Sequence, residues 1–183
     1  MEIVNEGICR FCERTLSGRG MGRHLASCKA KQARDLEEAQ GKDRQYKIYH
    51  LLIRGYAPYW LHLETSAKTR LSELDAFLRD VWLECCGHLS AFTIGEQGYA
   101  DFEDAWGEFR YRSMNVPLHR VLQPGDTFEY EYDFGSTTDL EGRVVGEREG
   151  ALPEPIRILA RNNPPVSFTF QLGVRHAGLV SFR

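Results

Sequence analysis

Residues 126–140 read Asp-Thr-Phe-Glu-Tyr-Glu-Tyr-Asp-Phe-Gly-Ser-Thr-Thr-Asp-Leu. Phe128, Tyr130, Tyr132 and Phe134 alternate with Glu129, Glu131 and Asp133, so period two places four aromatics on one strand face and three acids on the other. Such a strand demands a partner layer for its rings, because one isolated strand cannot bury them. The rest of the chain has to supply a sheet and something packed on it.

The surrounding pattern meets that demand. Residues 46–54 form an apolar β-like run, Gly55 to Pro58 turns it, and 59–64 returns as the second arm of a hairpin. On the returning arm Trp60, His62 and Glu64 share a face opposite Tyr59, Leu61 and Leu63. Thr69 is placed to N-cap a helix over 71–82, where Leu71, Leu74, Phe77, Leu78, Val81 and Trp82 fall at three- and four-residue steps. Further strands are predicted over 88–94, 140–146 and 156–161, with a loop over 147–154 and a short helical turn over 116–122. Residues 95–112 are acidic and aromatic without clean period and read as an excursion packed on the body. Cys85 and Cys86 point in different directions and read as ordinary thiols. The expected fold is α+β: a mixed, mainly antiparallel sheet with one main packing helix.

The N-terminal segment obeys another rule. Cys9-Arg-Phe-Cys12 is followed, after eleven residues, by His24-Leu-Ala-Ser-Cys28. Cysteines two apart suit a tight knuckle, and a His and Cys at i and i+4 share one helix face. Three thiolates and an imidazole suit one structural, closed zinc site, Cys9, Cys12, His24 and Cys28, with no open position for catalysis. Phe11 and Leu25 supply a small apolar plug. Gly18, Gly20 and Gly22 read as loosening the loop that leads into the helix, and that helix is expected to run on to Gln40 before Gly41 ends it. So small a unit needs a metal staple to fold.

Charge separates these parts. Between Cys9 and Arg34 stand seven basic residues and the single acid Glu13, whereas residues 96–133 hold nine acids against Arg110, Arg112 and Arg120. Arg10, Arg14, Arg19, Arg23, Lys29 and Lys31 are the candidates for gripping nucleic-acid phosphates, a protein partner being the other expectation. The opposite charges also suggest a contact between a basic head and an acidic body. No run approaches a membrane span and no apolar leader is evident, so the expected setting is cytoplasmic, where five cysteines imply metal or free thiols before disulfides. The expected division is a zinc-finger head over 1–44, an α+β domain over 45–165, and an atypical, cysteine-free tail over 166–183 read as frame-shifted or disordered.

The body segments together resemble the plasmid pRiA4b ORF-three family. The matching pieces are the hairpin 46–63, the helix 71–82, residues 88–94, Pro124-Gly-Asp through Tyr-Asp-Phe-Gly135, and Ile158-Leu-Ala-Arg-Asn-Asn-Pro164. The resemblance implies an α+β fold, an association with plasmids and mobile elements, and no established activity. It also implies a Cys-x-x-Cys…His-x-x-x-Cys head on some members.

No catalytic residue is predicted and no small-molecule substrate is identified. Asp133-Phe-Gly135 matches the kinase metal motif only in letters, because no glycine-rich phosphate loop or catalytic loop accompanies it. The enzymatic alternative is a metal-dependent hydrolase built on Glu129, Glu131 and Asp133, with Asp139 and His62 or His119 nearby. Strand neighbours two apart are roughly 6 to 7 Å separated, too far to share one ion unaided. A non-enzymatic zinc-binding module is therefore the leading reading.

Overall fold

The computed structural model describes residues 5–40, 45–55, 58–83, 87–102 and 111–162. In chain order these form β1 (Glu6–Cys9), β2 (Thr15–Ser17), α1 (Gly18–Ser27), α2 (Lys29–Ala39), β3 (Tyr46–Arg54), β4 (Trp60–Ser66) and α3 (Leu71–Leu78). They continue with β5 (Ser90–Ile94), β6 (Gln97–Tyr99), β7 (Thr127–Tyr132), β8 (Thr138–Gly150) and β9 (Ile156–Arg161). Cys85, Cys86 and the tail from 166 lie outside the described residues.

Among the described residues all nine strands join one sheet, in the order β2-β1-β9-β4-β3-β8-β7-β5-β6, and every strand pair is antiparallel. The α+β expectation holds. The sheet also incorporates the head: β1 pairs with β9 through Ile8↔Arg161 and Cys9↔Ala160.

One sheet face carries the main core. Leu51, Ile53, Leu61, Leu63, Phe92, Phe128, Tyr130, Tyr132 and Val144 pack there with Leu71, Leu74 and Leu78 of α3. Burying side chains of this kind contributes roughly 1.5–3 kcal/mol each. The predicted helix over 71–82 changes character part-way, with π-helical Arg79–Leu83 following α3. The helix N-cap is Arg70, whose backbone N–H donates to Glu73 Oε2 at 2.7 Å, while Thr69 bonds Thr65 instead. The Tyr130 hydroxyl donates to Asp75 Oδ1 at 2.7 Å and so ties the aromatic strand to α3.

That strand stops earlier than its alternation suggests. Asp133 takes φ +58°, and its Oδ1 accepts the Gly135 N–H, so the chain turns after Tyr132 and leaves Phe134 exposed. The return strand is correspondingly longer than predicted. β8 runs to Gly150, and its stretch 147–150, read from sequence as loop, pairs with Tyr46–Tyr49. Charged alternation concealed it: Glu147 and Glu149 face solvent while Arg148 turns inward.

The opposite face, over β9, β4 and β3, carries α1 and α2. Strand β4 is buried along almost its whole length because both of its faces are covered. The predicted single helix up to Gln40 is broken at Cys28, which adopts extended backbone (φ −69°, ψ 108°) between α1 and α2. The glycines of α1 are helical and not a loop. Gly18 allows the helix to approach Trp60, since a Cβ there would lie 2.6 Å from Trp60 Nε1, whereas a Cβ on Gly22 would meet His62 Cε1 at 3.5 Å, an ordinary contact.

Candidate metal centre

Four segments deliver one side chain each to a single point beside β1. Cys9 ends β1, where its N–H donates to Arg14 O and its carbonyl accepts the Glu13 N–H, and Glu13 takes φ +58°. These bonds close the tight turn that presents Cys12. His24 comes from the last turn of α1, and Cys28 comes from the joint at which the helix breaks. The break has a clear consequence: the backbone leaves helical geometry at the residue that must contribute a sulfur.

The ligand atoms of Cys9, Cys12, His24 and Cys28 all lie within 4.8 Å of one another, and Cys12 Sγ stands 3.2 Å from His24 Nε2. Thiolates bound at about 2.3 Å to one tetrahedral ion lie roughly 3.8 Å apart, so this spacing suits a shared metal. The four residues could hold a metal ion, as their sequence spacing suggests.

Cys9 and Cys28 are buried against Met21, Leu25, Trp60, Leu159 and Ala160, with Phe11 packed alongside, so the predicted plug is present and widened by the body. Burial pushes the Cys9 thiol up to about 11, against the backbone N–H groups of Phe11 and Cys12. Desolvation also raises Cys12, but the Arg14 backbone N–H and the neighbouring sulfurs outweigh it and hold that thiol below its usual value. Loading a metal here releases protons, and binding weakens as pH falls.

The basic candidates divide. Arg14, Arg19, Arg23 and Lys29 are exposed, and no ion pair holds them among the described residues. Arg10 is exposed but bridges to Glu154 at 3.0 Å. Lys31 is a correction: it is only 7% exposed, and its Nζ is held 2.7 Å from both Asp35 and Glu64. It faces the sheet and not a nucleic acid. The helical period explains this, since Lys31, Asp35 and Glu38 form the inward stripe of α2.

That stripe enters a polar cluster that sequence reasoning missed. Arg148 binds Glu64 with two bonds, 2.9 and 2.8 Å, and reaches Asp35 at 3.1 Å. Arg157, 2% exposed, donates to Glu38, Asp35 and Glu64, and stacks its guanidinium over the Phe11 ring at 5.1 Å. The cationic partners force Glu64 to stay ionised against its desolvation. Head and body therefore meet with charges of both signs: Arg10 and Lys31 of the head pair with Glu154 and Glu64 of the body, while Asp35 and Glu38 of the head helix grip Arg148 and Arg157 of the body. The sharing of one β4 face by His62 and Glu64 was the available signal.

His62 sits beside the cluster with its Nδ1 2.9 Å from His50 Nε2, and its own Nε2 is buried without a hydrogen-bond partner. His119 lies elsewhere, its Nδ1 2.9 Å from the Ala67 carbonyl, in a hollow shared with Lys47, Lys68 and Glu147. Neither histidine makes a hydrogen bond or ion pair to the acidic strand face. The ladder is itself rearranged. Asp133 has turned away toward His88, while β8 brings Asp139 opposite Glu131 and Glu141 opposite Glu129. Like charges facing each other in this way weaken a strand pair slightly.

The family model described as plasmid pRiA4b ORF-3-like protein matches residues 45–154. The chain belongs to that family. In the pRiA4b ORF-3-like domain of this chain the matched residues carry β3 through β8, whereas the Cys/His cluster, α1, α2 and β9 lie outside the match. No curated protein matches the chain. A solved structure, "Protein of Unknown Function MM3350 from Methanosarcina mazei Go1", is similar at 18% identity and a TM-score of 0.49. The similarity covers 59% of this chain and 64% of that one, under two thirds of the neighbour's length. Among the described residues no helix is long and apolar enough to cross a membrane.

Proposed function

We propose that the chain is a zinc-binding, non-enzymatic module that holds nucleic acid by its phosphates. The observation that supports this reading is the pairing of two features on the same elements. Cys9, Cys12, His24 and Cys28 bring their ligand atoms within 4.8 Å of one another, and the same segments carry Arg14, Arg19, Arg23 and Lys29, which are exposed and held by no ion pair among the described residues. Three thiolates and one imidazole fill all four positions of a tetrahedral zinc ion, so the ion supplies rigidity and no open site for water. Arg19 and Arg23 lie one helical turn apart on the solvent face of α1, opposite Met21 and Leu25, which suits consecutive backbone phosphates.

Metal analysis and a salt titration test the reading together. The protein is expected to carry one zinc, to lose it in Cys9→Ser, and to bind duplex DNA or RNA with an affinity that falls as salt rises. Each phosphate contact removed lowers the slope of log affinity against log salt by about 0.9 on B-DNA, so R19A/R23A is expected to lower it by about 2. A zinc-loaded protein whose binding is absent, or is untouched by that double substitution, overturns the nucleic-acid reading.

A further inference from the structure

Helix α2 is held to the sheet by an unusual set of contacts. Its one buried residue is Lys31; no apolar side chain of the helix joins either core, and Leu36 is 65% exposed. Its attachment is ionic: Lys31 to Glu64, Asp35 to Arg148 and Arg157, and Glu38 to Arg157. A helix bound this way lacks the hydrophobic term that fixes α1 and α3, and its ion pairs are offset by the cost of desolvating both partners. Extended backbone at Cys28 also separates it from α1, so the two helices are not one continuous rod.

The surface beneath is a formed site. Arg157 is 2% exposed and presents both terminal nitrogens to carboxylates, and Arg148 lies beside it. Glu64, 2% exposed and bonded to both arginines, fixes their orientation. With α2 lifted, two guanidiniums face one carboxylate, leaving a positive pocket with the geometry to grip acidic groups bidentately.

We propose that this face of the sheet is a binding site for an acidic helical segment bearing two carboxylates one turn apart, and that α2 occupies it as a displaceable ligand within the chain. Asp35 and Glu38 supply the chemistry the site recognises. The partner is a peptide of the Asp-x-x-Glu type, and its binding swings α2 away about Cys28. The proposal does not rest on the nucleic-acid reading, which concerns the opposite, outward side of the head.

The test uses the full zinc-loaded chain and a synthetic peptide of residues 29–40. Wild-type protein is expected to bind it weakly, because the site is filled; D35A/E38A is expected to bind it at least tenfold more tightly, and adding Arg148→Ala abolishes the gain. A folded D35A/E38A protein that binds no better than wild type overturns the proposal, as does binding unaffected by Arg148→Ala. Hydrogen exchange on the wild type covers the case in which the double variant fails to fold. The α2 amides are expected to exchange faster than those of β4, and faster still with excess peptide. Exchange of α2 only at the rate of β4, unmoved by peptide, overturns it equally.

Discussion

Gly18 shows how closely the head is fitted to the body. The indole of Trp60 occupies the volume a side chain would need, with 2.6 Å between Trp60 Nε1 and a hypothetical Cβ. Gly18→Ala is therefore expected to destabilise the protein by about 1–3 kcal/mol through overpacking. Gly20→Ala meets only Ser17 Oγ at 3.6 Å and gains up to about 1 kcal/mol of helix propensity. Urea unfolding of the two variants distinguishes them, and equal shifts would show that close helix-to-sheet approach does not matter. His50 and His62 offer a second test at this scale. Burial holds His50 at about 4, with Glu64 opposing and Lys31 assisting; burial, then the charges of His50 and Arg54, hold His62 at about 3. Both folded values lie below the unfolded value of about 6.5, so the unfolded chain binds more protons in between. Stability is expected to fall as pH drops from about 6.5 towards 3, by several kcal/mol for the two histidines together. Melting temperatures of zinc-loaded protein should show this slope, and H50Q/H62Q should flatten it. An unchanged slope in that variant would assign the acid loss elsewhere.

At the scale of elements, the decisive contact is between α2 and strands β4, β8 and β9. Sequence reading saw strong helix formers and a basic segment there. The fold turns three residues of the stripe, Lys31, Asp35 and Glu38, onto Glu64, Arg148 and Arg157, so a helix that looks solvated lies against a polar cluster. Removing one member unbalances the charge of the rest. Arg157→Leu leaves Asp35, Glu38 and Glu64 one buried cation short and is expected to cost about 3 kcal/mol, beyond the effect of losing an exposed pair such as Lys47–Glu147. Denaturant midpoints for Arg157→Leu and Lys47→Ala check the contrast. A similar small loss in both would mean that the cluster is wet and weak. The aromatic strand teaches a related lesson: Tyr130 and Tyr132 were legible as core, but the left-handed turn at Asp133 was not, because aspartate tolerates φ > 0 without announcing it.

For the whole molecule, the candidate metal centre lies on the seam between the head and the family domain. Cys9 belongs to a strand that pairs with β9, and β9 pairs in turn with β4, so ordering at the centre passes directly into the sheet. Removing metal is expected to loosen β1, β2 and α1 while the β3-β8-β7 ladder and its α3-backed core stay closed. Hydrogen exchange before and after a strong chelator checks this. Uniform loss of protection across all strands would show that the centre controls the entire fold, and no loss near β1 would show that the cluster does not need metal.

What the sequence determined by itself follows from short-range rules. Period-two aromatics, apolar steps of three and four, and Cys/His spacing each depend on neighbours within a few residues, so β3, β4, β5, β7, β9, the start of β8, helix α3 and the Cys/His group were readable in place, whereas the short strands β1, β2 and β6 were not. What only the tertiary structure decided depends on residues far apart in the chain. The β1–β9 seam joins Cys9 to Ala160, the polar cluster joins Asp35 to Arg157, and the acidic ladder sets Glu131 against Asp139. Local patterns record which face of an element is apolar. They do not record which charged face will be covered, because a buried ion is tolerated only when a partner from elsewhere in the fold arrives to meet it.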